Sequence, residues 1–170
     1  ILINDNLEDP VTIADLKVNK KIIQNITESY KNINWEILSE ENVKNNHNNR
    51  RMNKDFVWIL DPLDGTKDYI QGTGNYAMHL ALSYKNKPNL GIVLIPDKDE
   101  LWISNQDIVW CENRNEEYKK PNLSRKYSLK EMTIVTSKNH RNQILQNLIK
   151  KVNFKNVVVM GSIGCKIASI

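Results

Sequence analysis

Two aspartates lie three residues apart, directly after the short apolar segment 56–60. Asp61 and Asp64 belong to the sequence Asp-Pro-Leu-Asp-Gly-Thr at positions 61–66, in which proline and glycine favour a turn. Two carboxylates held this close repel each other unless a positive group lies between them. The simplest such group is a hard divalent cation, which prefers oxygen ligands. The segment therefore predicts a metal site with the hydroxyl of Thr66 beside it.

Further acidic residues are candidates for the same site. Asp15 projects into the apolar face of a predicted helix, where a carboxylate is unfavourable unless it is paired or metal-bound. Alternatively, it lies near the helix start and only complements the helix dipole. Glu40 and Glu41 follow a predicted strand, and the alternative for both is a solvated loop position. With the carbonyl oxygen of Leu63, these groups would supply the oxygen-only ligation that suits Mg²⁺. Such a site suits phosphate-ester hydrolysis, in which Thr66 and Asp15 would orient the attacking water.

A second candidate site lies at positions 161–166, Gly-Ser-Ile-Gly-Cys-Lys, between a predicted strand and a predicted helix. The free N–H groups at a helix start attract anions, and Ser162 and Lys166 would add a hydroxyl and a positive charge. An ordinary glycine turn is the alternative. The spacing matches neither a P-loop nor a dinucleotide-binding fingerprint. His140 and Arg141 are either residues of a helix start or substrate contacts.

Composition limits the class of protein. The 170 residues are 40% hydrophobic and 26% charged, which is typical of a globular domain rather than a disordered chain. The net charge of +4 would suit a nucleic-acid partner, but the cationic residues are scattered among acidic ones, which favours a solvated surface. We expect no membrane span, and two distant cysteines favour a reducing cytoplasm. Because both ends look cut, we expect the chain to be part of a longer protein.

The hydrophobic pattern predicts an α/β fold, of the α+β layered-sandwich kind, in two regions. Residues 1–118 form an α+β region that carries the acidic site, and residues 119–170 begin an incomplete α/β region. In the second region strand, helix, strand and helix alternate, which favours parallel pairing. In the first region, alternating apolar and polar residues predict an antiparallel meander over 76–111. We expect His79 in this meander to be a strand residue with a satisfied side chain, not a ligand.

The boundaries of the elements follow from the same pattern. A helix is predicted from Thr12, its N-cap, to Tyr30. A second helix is expected after the strand at 132–135, with Ser137 or Asn139 as its cap. The apolar face of the first helix is predicted to comprise Leu16, Ile22, Ile23, Ile26 and Tyr30. That of the second is predicted to comprise Ile144, Leu145, Leu148, Ile149 and Val152. Polar segments predict a surface loop over 42–53, a turn over 85–89 and a connection over 111–129. Further strands are predicted over 35–38, 56–60, 90–95 and 157–160.

Residues 61–66 resemble the signature of the Mg²⁺-dependent, lithium-sensitive phosphatase superfamily that includes the inositol monophosphatases. The Lys-Asp-Tyr-Ile that follows is similar to the 3′(2′),5′-bisphosphate nucleotidases of the CysQ type. Residues 11–15 resemble the family's Thr-x-Ala-Asp element, and residues 37–41 resemble its metal-binding glutamate element. Residues 161–166 resemble its substrate-side turn. These four elements occur in the family's order and span nearly the whole chain.

The resemblance implies roles for individual residues. It assigns Mg²⁺ binding to three carboxylates and one carbonyl, those of Glu40, Asp61, Asp64 and Leu63. It assigns activation of the attacking water to Asp15 and Thr66. It places five residues on the substrate side: Gly65, Thr66, Ser162, Lys166 and His140. The family also has an aspartate ligand in a C-terminal Trp-Asp element that this sequence does not contain, so we expect the implied activity to belong to the complete protein.

The activity implied by the resemblance is a Mg²⁺-dependent phosphomonoesterase, inhibited by Li⁺, which hydrolyses 3′-phosphoadenosine 5′-phosphate to AMP and phosphate in sulfur metabolism. One alternative is an inositol monophosphatase or sugar phosphatase. The other is a protein that binds phosphate or nucleotide without turnover. The expected partner is a small phosphorylated substrate, with no nucleic acid and no membrane, and a homodimer is one option for assembly.

Overall fold

The computed structural model of the chain describes residues 2–4, 10–43, 53–138 and 141–170. The strands are β1 Leu2–Asn4, β2 Val11–Thr12, β3 Trp35–Ser39, β4 Phe56–Asp64, β5 Ala77–Tyr84, β6 Lys87–Ile95, β7 Glu100–Asn105, β8 Ile108–Glu112, β9 Tyr118–Lys119, β10 Thr133–Ser137 and β11 Asn156–Met160. The helices are α1 Ile13–Ser29, α2 Glu40–Val43, α3 Thr66–Gln71, α4 Gln143–Val152 and α5 Ile163–Ala168. Helices and strands thus alternate along much of the chain, as expected of the predicted α/β class.

A seven-stranded mixed sheet in the order β3-β4-β5-β6-β7-β8-β9 dominates the described residues. β3 and β4 are parallel, and every later pair in this sheet is antiparallel, which confirms the predicted meander. β10 and β11 form a separate parallel pair, which confirms the predicted strand-helix-strand arrangement. The predicted boundary between residues 118 and 119 stays a prediction.

α1 forms where the sequence predicts it, and it buries the predicted side of the helix, although with more polar residues than expected. The buried residues of this helix are Asp15, Asn19 and Ile26. Two residues of the predicted apolar face, Leu16 and Tyr30, are each 41% exposed. The spacing of Asp15, Asn19 and Ile26 is helical, so the inward face is polar near the start of the helix and apolar further along. Hydrogen bonds to neighbouring elements, described below, explain why this face turns inward.

The segment after the apolar run differs most from its prediction. β4 continues through Asp64, with an irregular register between Asp61 and Asp64, instead of ending at residue 60. Gly65 follows with φ +92°, a left-handed conformation that glycine adopts without strain. α3 then begins at once, and the sequence pattern did not predict this helix because it is only six residues long.

Three other boundaries also differ. The turn before β6 is confined to Lys85 and Asn86, both with positive φ, so the strand begins at residue 87 rather than 90. Asn142, not Ser137 or Asn139, caps α4, and its side chain accepts a hydrogen bond from the N–H of Leu145 at 2.9 Å. Ser137 instead ends β10, and Asn139 lies outside the described residues. Of the predicted loop 42–53, the first two residues belong to α2 and residues 44–52 lie outside the description.

α5 connects the two sheets. It packs against β5 and β6 of the large sheet and against both strands of the small one. Its Cys165 is fully buried in a cluster with Ala77 and Ile95. The predicted apolar stripe of α4 is less enclosed, since Ile144 is 79% and Leu148 50% exposed. None of the helices in the described residues is long and apolar enough to cross a membrane.

A buried carboxylate, that of Asp68, lies against the turn that precedes α5 and limits which residues this turn can contain. Asp68 in α3 is 1% exposed. Its Oδ1 accepts a hydrogen bond from Thr73 Oγ1 at 2.7 Å and lies 3.4 Å from Lys138 Nζ at the end of β10. Its Oδ2 has no hydrogen-bond partner among the described residues. This oxygen faces Gly161 so closely that a Cβ at position 161 would overlap it. Only glycine therefore fits this turn without a shift of α3.

The substitution Gly161→Ala should lower the free energy of unfolding by about 2 kcal/mol, because it overpacks a site that has no space to relax. The matched control is Gly91→Ala, whose Cβ would meet only the end of the Ser104 side chain at 3.0 Å. Urea denaturation of both variants gives the comparison. In an Asp68→Ala background the cost of Gly161→Ala should shrink. An equal cost in both backgrounds would show that the Asp68 contact is not the cause.

Candidate active site

The parallel pairing of β3 and β4 brings two of the predicted metal ligands together. Ser39 pairs with Leu60, so the residues that follow each, Glu40 and Asp61, lie at the same edge of the sheet. Burial, the charge of Glu40 and the charge of Asp64, in that order, raise the pKa of the Asp61 carboxyl to about 7. Both neighbouring carboxylates therefore act on Asp61, which is itself partly desolvated. The chemistry of these donors fits a hard divalent cation.

Backbone and hydroxyl contacts hold the acidic turn in one conformation. The N–H of Leu63 donates to Asp61 Oδ1 at 3.1 Å. The carbonyl oxygen of Leu63 accepts a hydrogen bond from Thr66 Oγ1 at 3.1 Å. Pro62 and Leu63 are buried, which anchors the turn on the protein side and turns its polar groups toward the acidic cluster. The predicted carbonyl ligand therefore lies on a rigid turn.

Asp15 combines both of the roles considered for it. It forms a capping box with Thr12: Asp15 Oδ2 accepts from the N–H of Thr12 at 2.8 Å and from its Oγ1 at 2.5 Å. Its other oxygen, Oδ1, lies 3.3 Å from Thr66 Oγ1, although the two residues are 51 positions apart. Because the side chain is only 3% exposed, the cap also fixes the direction of this second oxygen. The start of α1 is thus linked directly to the acidic turn.

The inward face of α1 also positions the glutamate element. Ser39, fully buried at the end of β3, donates to Asn19 Oδ1 at 2.5 Å. The amide nitrogen of Asn19 lies 3.4 Å from Asn42 Oδ1 in α2. Glu40 lies between these two contact points in the sequence, so α1 determines where its backbone leaves the sheet. These bonds explain why Asn19, rather than Leu16, faces inward.

Asp64 contacts the second predicted site. Its Oδ2 accepts hydrogen bonds from Ser162 Oγ at 2.5 Å, Ile163 N at 2.5 Å and Gly164 N at 3.2 Å. Residues 161–166 and the acidic turn therefore form one continuous structure, which the sequence did not indicate. In the described part of the chain, no three His, Cys, Asp or Glu side chains are arranged as they stand to hold a metal ion. An incomplete cage suits Mg²⁺, which keeps several waters and takes phosphate oxygens.

His79 lies in a strand, as predicted, but the sequence does not indicate that it faces the acidic turn. It pairs with Asp61 across β4 and β5, with Nδ1 3.8 Å from Asp61 Oδ2 and Nε2 3.3 Å from Asp64 Oδ2. Its buried Nε2 has no hydrogen bond to the described residues, so the prediction of a satisfied side chain is wrong. Burial lowers the pKa of this imidazole despite the opposing effect of Asp64, which favours the neutral form. Only the pairing register of β4 and β5 shows that His79 lies beside the two aspartates.

The remaining predicted substrate residues are placed as follows. Gly65 packs its Cα against Asn75, where a Cβ would lie 2.9 Å from the carbonyl oxygen. Ser162 is fully buried, and Lys166 Nζ donates to the carbonyl oxygen of Gly161 at 3.1 Å. His140 lies outside the described residues. Direct substrate contacts of these residues stay predictions.

Comparison with known proteins supports the resemblance seen in the sequence. The sequence model of the inositol monophosphatase family matches residues 3–170. The chain belongs to the inositol monophosphatase family. It is 29% identical over 153 residues to the 3′(2′),5′-bisphosphate nucleotidase CysQ of Buchnera aphidicola, a match that covers 90% of this chain and 55% of that protein. It is 36% identical over 94 residues to the chloroplastic bifunctional phosphatase IMPL2 of Arabidopsis thaliana, covering 55% of this chain and 26% of that protein.

The fold is that of solved members of the family. A structure of an IMPase/NADP phosphatase complexed with Mg²⁺ and phosphate superposes with a TM-score of 0.75 at 19% identity, covering 98% of this chain and 60% of that one. The predicted α/β, inositol-monophosphatase-like fold is therefore confirmed. The chain spans little more than half the length of the CysQ relative and of this structure.

With metal removed by a chelator, the free energy of unfolding should fall as the pH rises from about 4 to about 7. In this window the native Asp61 carboxyl, with its pKa near 7, retains a proton that the unfolded chain, with a pKa of 3.8, has released. The native state binds more protons, so stability decreases with pH. Urea denaturation across this range measures the slope.

The variant Asp61→Asn should remove most of that slope, because an amide does not titrate. Asp107→Asn, which changes an exposed aspartate in the turn between β7 and β8, is the matched control and should keep the slope. Equal slopes in the parent protein and in Asp61→Asn would contradict the raised pKa.

Proposed function

We propose that the complete protein is a phosphomonoesterase that depends on a divalent metal ion. The observation that carries this proposal is the placement of Glu40 and Asp61 at one edge of the sheet, with Asp64 on the same turn as Asp61. The linked pair Asp15 and Thr66 lies beside this turn. Membership of the inositol monophosphatase family supports it. So does the similar structure of a phosphatase in complex with Mg²⁺ and phosphate.

Four groups would hold Mg²⁺ in this protein: the carboxylates of Glu40, Asp61 and Asp64 and the carbonyl oxygen of Leu63. When bound, the ion offsets the negative charge of the phosphate and polarises its ester oxygen. The chain's own contribution is to hold several carboxylates together against their repulsion. The raised pKa of Asp61 reflects that repulsion, and a cation in the same space would relieve it. Inhibition by Li⁺ is part of the same proposal.

Asp15 and Thr66 would prepare the attacking water. The Thr66 hydroxyl directs its hydrogen toward Asp15 Oδ1 and the Leu63 carbonyl, at 3.3 and 3.1 Å. Its lone pairs are then oriented to accept a hydrogen bond from water. Asp15, held by its cap, accepts the proton as the water oxygen bonds to phosphorus. The ester bond from phosphorus to the leaving oxygen breaks in the same displacement. That oxygen takes a proton from solvent water and leaves as an alcohol, and Asp15 returns its proton to solvent.

The preferred substrate in this proposal is 3′-phosphoadenosine 5′-phosphate, which would yield AMP and phosphate. The similarity to CysQ, named as a 3′(2′),5′-bisphosphate nucleotidase, supports this choice. The alternative is an inositol or sugar phosphate, which the family as a whole and the bifunctional phosphatase support. Gly65, Lys166 and His140 are the proposed substrate-side residues. Cytoplasmic location and a homodimer remain predictions.

Glu40→Gln and Asp61→Asn should each lower Mg²⁺-dependent phosphate release from 3′-phosphoadenosine 5′-phosphate by at least about 100-fold, because each removes a charged ligand. Glu41→Gln is the matched control, since the neighbouring glutamate is not assigned to the site. Calorimetric unfolding should show that the three variants remain folded. Full activity in Glu40→Gln together with loss in Glu41→Gln would transfer the assignment to the second glutamate.

Side-by-side kinetics on 3′-phosphoadenosine 5′-phosphate and inositol 1-phosphate should favour the adenosine bisphosphate. A higher kcat/KM for the inositol phosphate would favour the alternative substrate class. Binding of both compounds without phosphate release, at saturating Mg²⁺, would instead indicate a binding protein that retains the fold. Titration with Li⁺ in the same assay tests the expected inhibition.

A further inference from the structure

Ser162 is placed where a substrate would not reach it. The residue is 0% exposed at the start of α5. Its hydroxyl donates to Asp64 Oδ2 at 2.5 Å and accepts from the N–H of Cys165 at 3.1 Å. A serine hydroxyl has one hydrogen to donate, and here Asp64 takes it. A substrate contact would require the loss of a charge-assisted hydrogen bond, which is among the stronger kinds.

The neighbouring backbone acts on the same oxygen of Asp64. The N–H groups of Ile163 and Gly164 lie 2.5 and 3.2 Å from Oδ2, so three donors converge on one carboxylate oxygen. Convergent donors fix the plane of a carboxylate, whereas a single donor leaves it free to rotate. Outer hydrogen bonds of this kind commonly orient the side chains that bind metals.

The donors themselves are fixed by burial. Cys165 anchors α5 in the fully buried cluster with Ala77 and Ile95. The N–H of Ser162 donates to the carbonyl oxygen of Asn75 at 3.3 Å, which ties the start of the helix to the segment before β5. The backbone of Ser162 is therefore held by contacts that do not involve Asp64. A pre-positioned donor of this kind can direct a flexible carboxylate.

We propose that Ser162 is a positioning residue, which orients Asp64 for metal binding through its hydroxyl and does not contact the substrate. The inference rests on the proposed function in taking Asp64 as a metal ligand. It assigns to Ser162 an effect on metal affinity that the sequence resemblance does not contain, since the resemblance places this residue on the substrate side.

The experiment compares Mn²⁺ binding by the complete protein and three variants, measured by calorimetry without substrate. Ser162→Ala removes the hydroxyl, and its dissociation constant for Mn²⁺ should rise about 10-fold, the range seen for outer hydrogen-bond partners of metal ligands. Ser162→Thr keeps a hydroxyl and should restore most of the affinity. Ser169→Ala is the matched control, because it removes an exposed hydroxyl that donates to Lys166 O at the other end of α5; its affinity should not change.

A folding defect would not leave the question open. Ser162→Gly also lacks the hydroxyl, but glycine is well tolerated at the N-cap of a helix. This variant should therefore remain folded and show the same loss of Mn²⁺ affinity. Folding of each variant is followed by the cooperativity of thermal unfolding. Unchanged Mn²⁺ affinity in folded Ser162→Gly would overturn the proposal.

Steady-state kinetics separate positioning from substrate contact. In Ser162→Ala the Mg²⁺ concentration for half-maximal activity should rise, while KM for 3′-phosphoadenosine 5′-phosphate at saturating Mg²⁺ should stay within about twofold of the parent value. A raised KM with unchanged metal dependence would overturn the proposal and return Ser162 to the substrate side.

Failure of the proposed function is distinguishable from failure of this inference. If the parent protein binds Mn²⁺ but releases no phosphate from any phosphomonoester, the proposed activity is wrong, and the binding experiment still decides the role of Ser162. If the parent protein takes up no Mn²⁺, the positioning role is overturned together with the metal assignment.

Discussion

The central constraint on this structure is that the fold holds mutually repelling carboxylates close together. Placing Asp61 in a partly buried space beside Glu40 and Asp64 raises its pKa to about 7, so the site opposes its own full ionisation. Separating these side chains would relieve the repulsion, but the parallel register of β3 and β4 and the rigid turn after β4 prevent it. An arrangement that is unfavourable for the chain alone is favourable for binding a cation.

Two elements from distant parts of the sequence maintain this arrangement. α1 contributes Asp15 and Asn19, which reach Thr66 and Ser39 respectively. α5 contributes donors to Asp64 that lie about 100 positions further along the chain. The acidic site is therefore not a property of the acidic turn alone. It requires α5 to be seated in its buried cluster, which joins the large sheet to the β10–β11 pair.

The sequence predicted the parts of the site that depend on local chemistry. Residues 61–66, the cap at Thr12 and the glutamate after β3 are recognisable because turn residues, capping residues and carboxylates act within a few positions. It failed where a distant partner decides the outcome. Asn19 faces inward because the Ser39 hydroxyl donates a hydrogen bond to its side chain, which the apolar pattern of α1 does not indicate. His79 lies beside two aspartates because of strand register, which no local pattern specifies.

The sequence by itself determined the family and the α/β class, because the order of short motifs and the period of apolar residues are properties of the linear chain. Only the tertiary structure decided which oxygen of each aspartate accepts hydrogen bonds. It also decided that the Ser162 hydroxyl faces Asp64 and that Asp68 limits position 161 to glycine. These outcomes depend on atomic distances between elements that meet only after folding. The pattern of residue types along the sequence does not specify these distances.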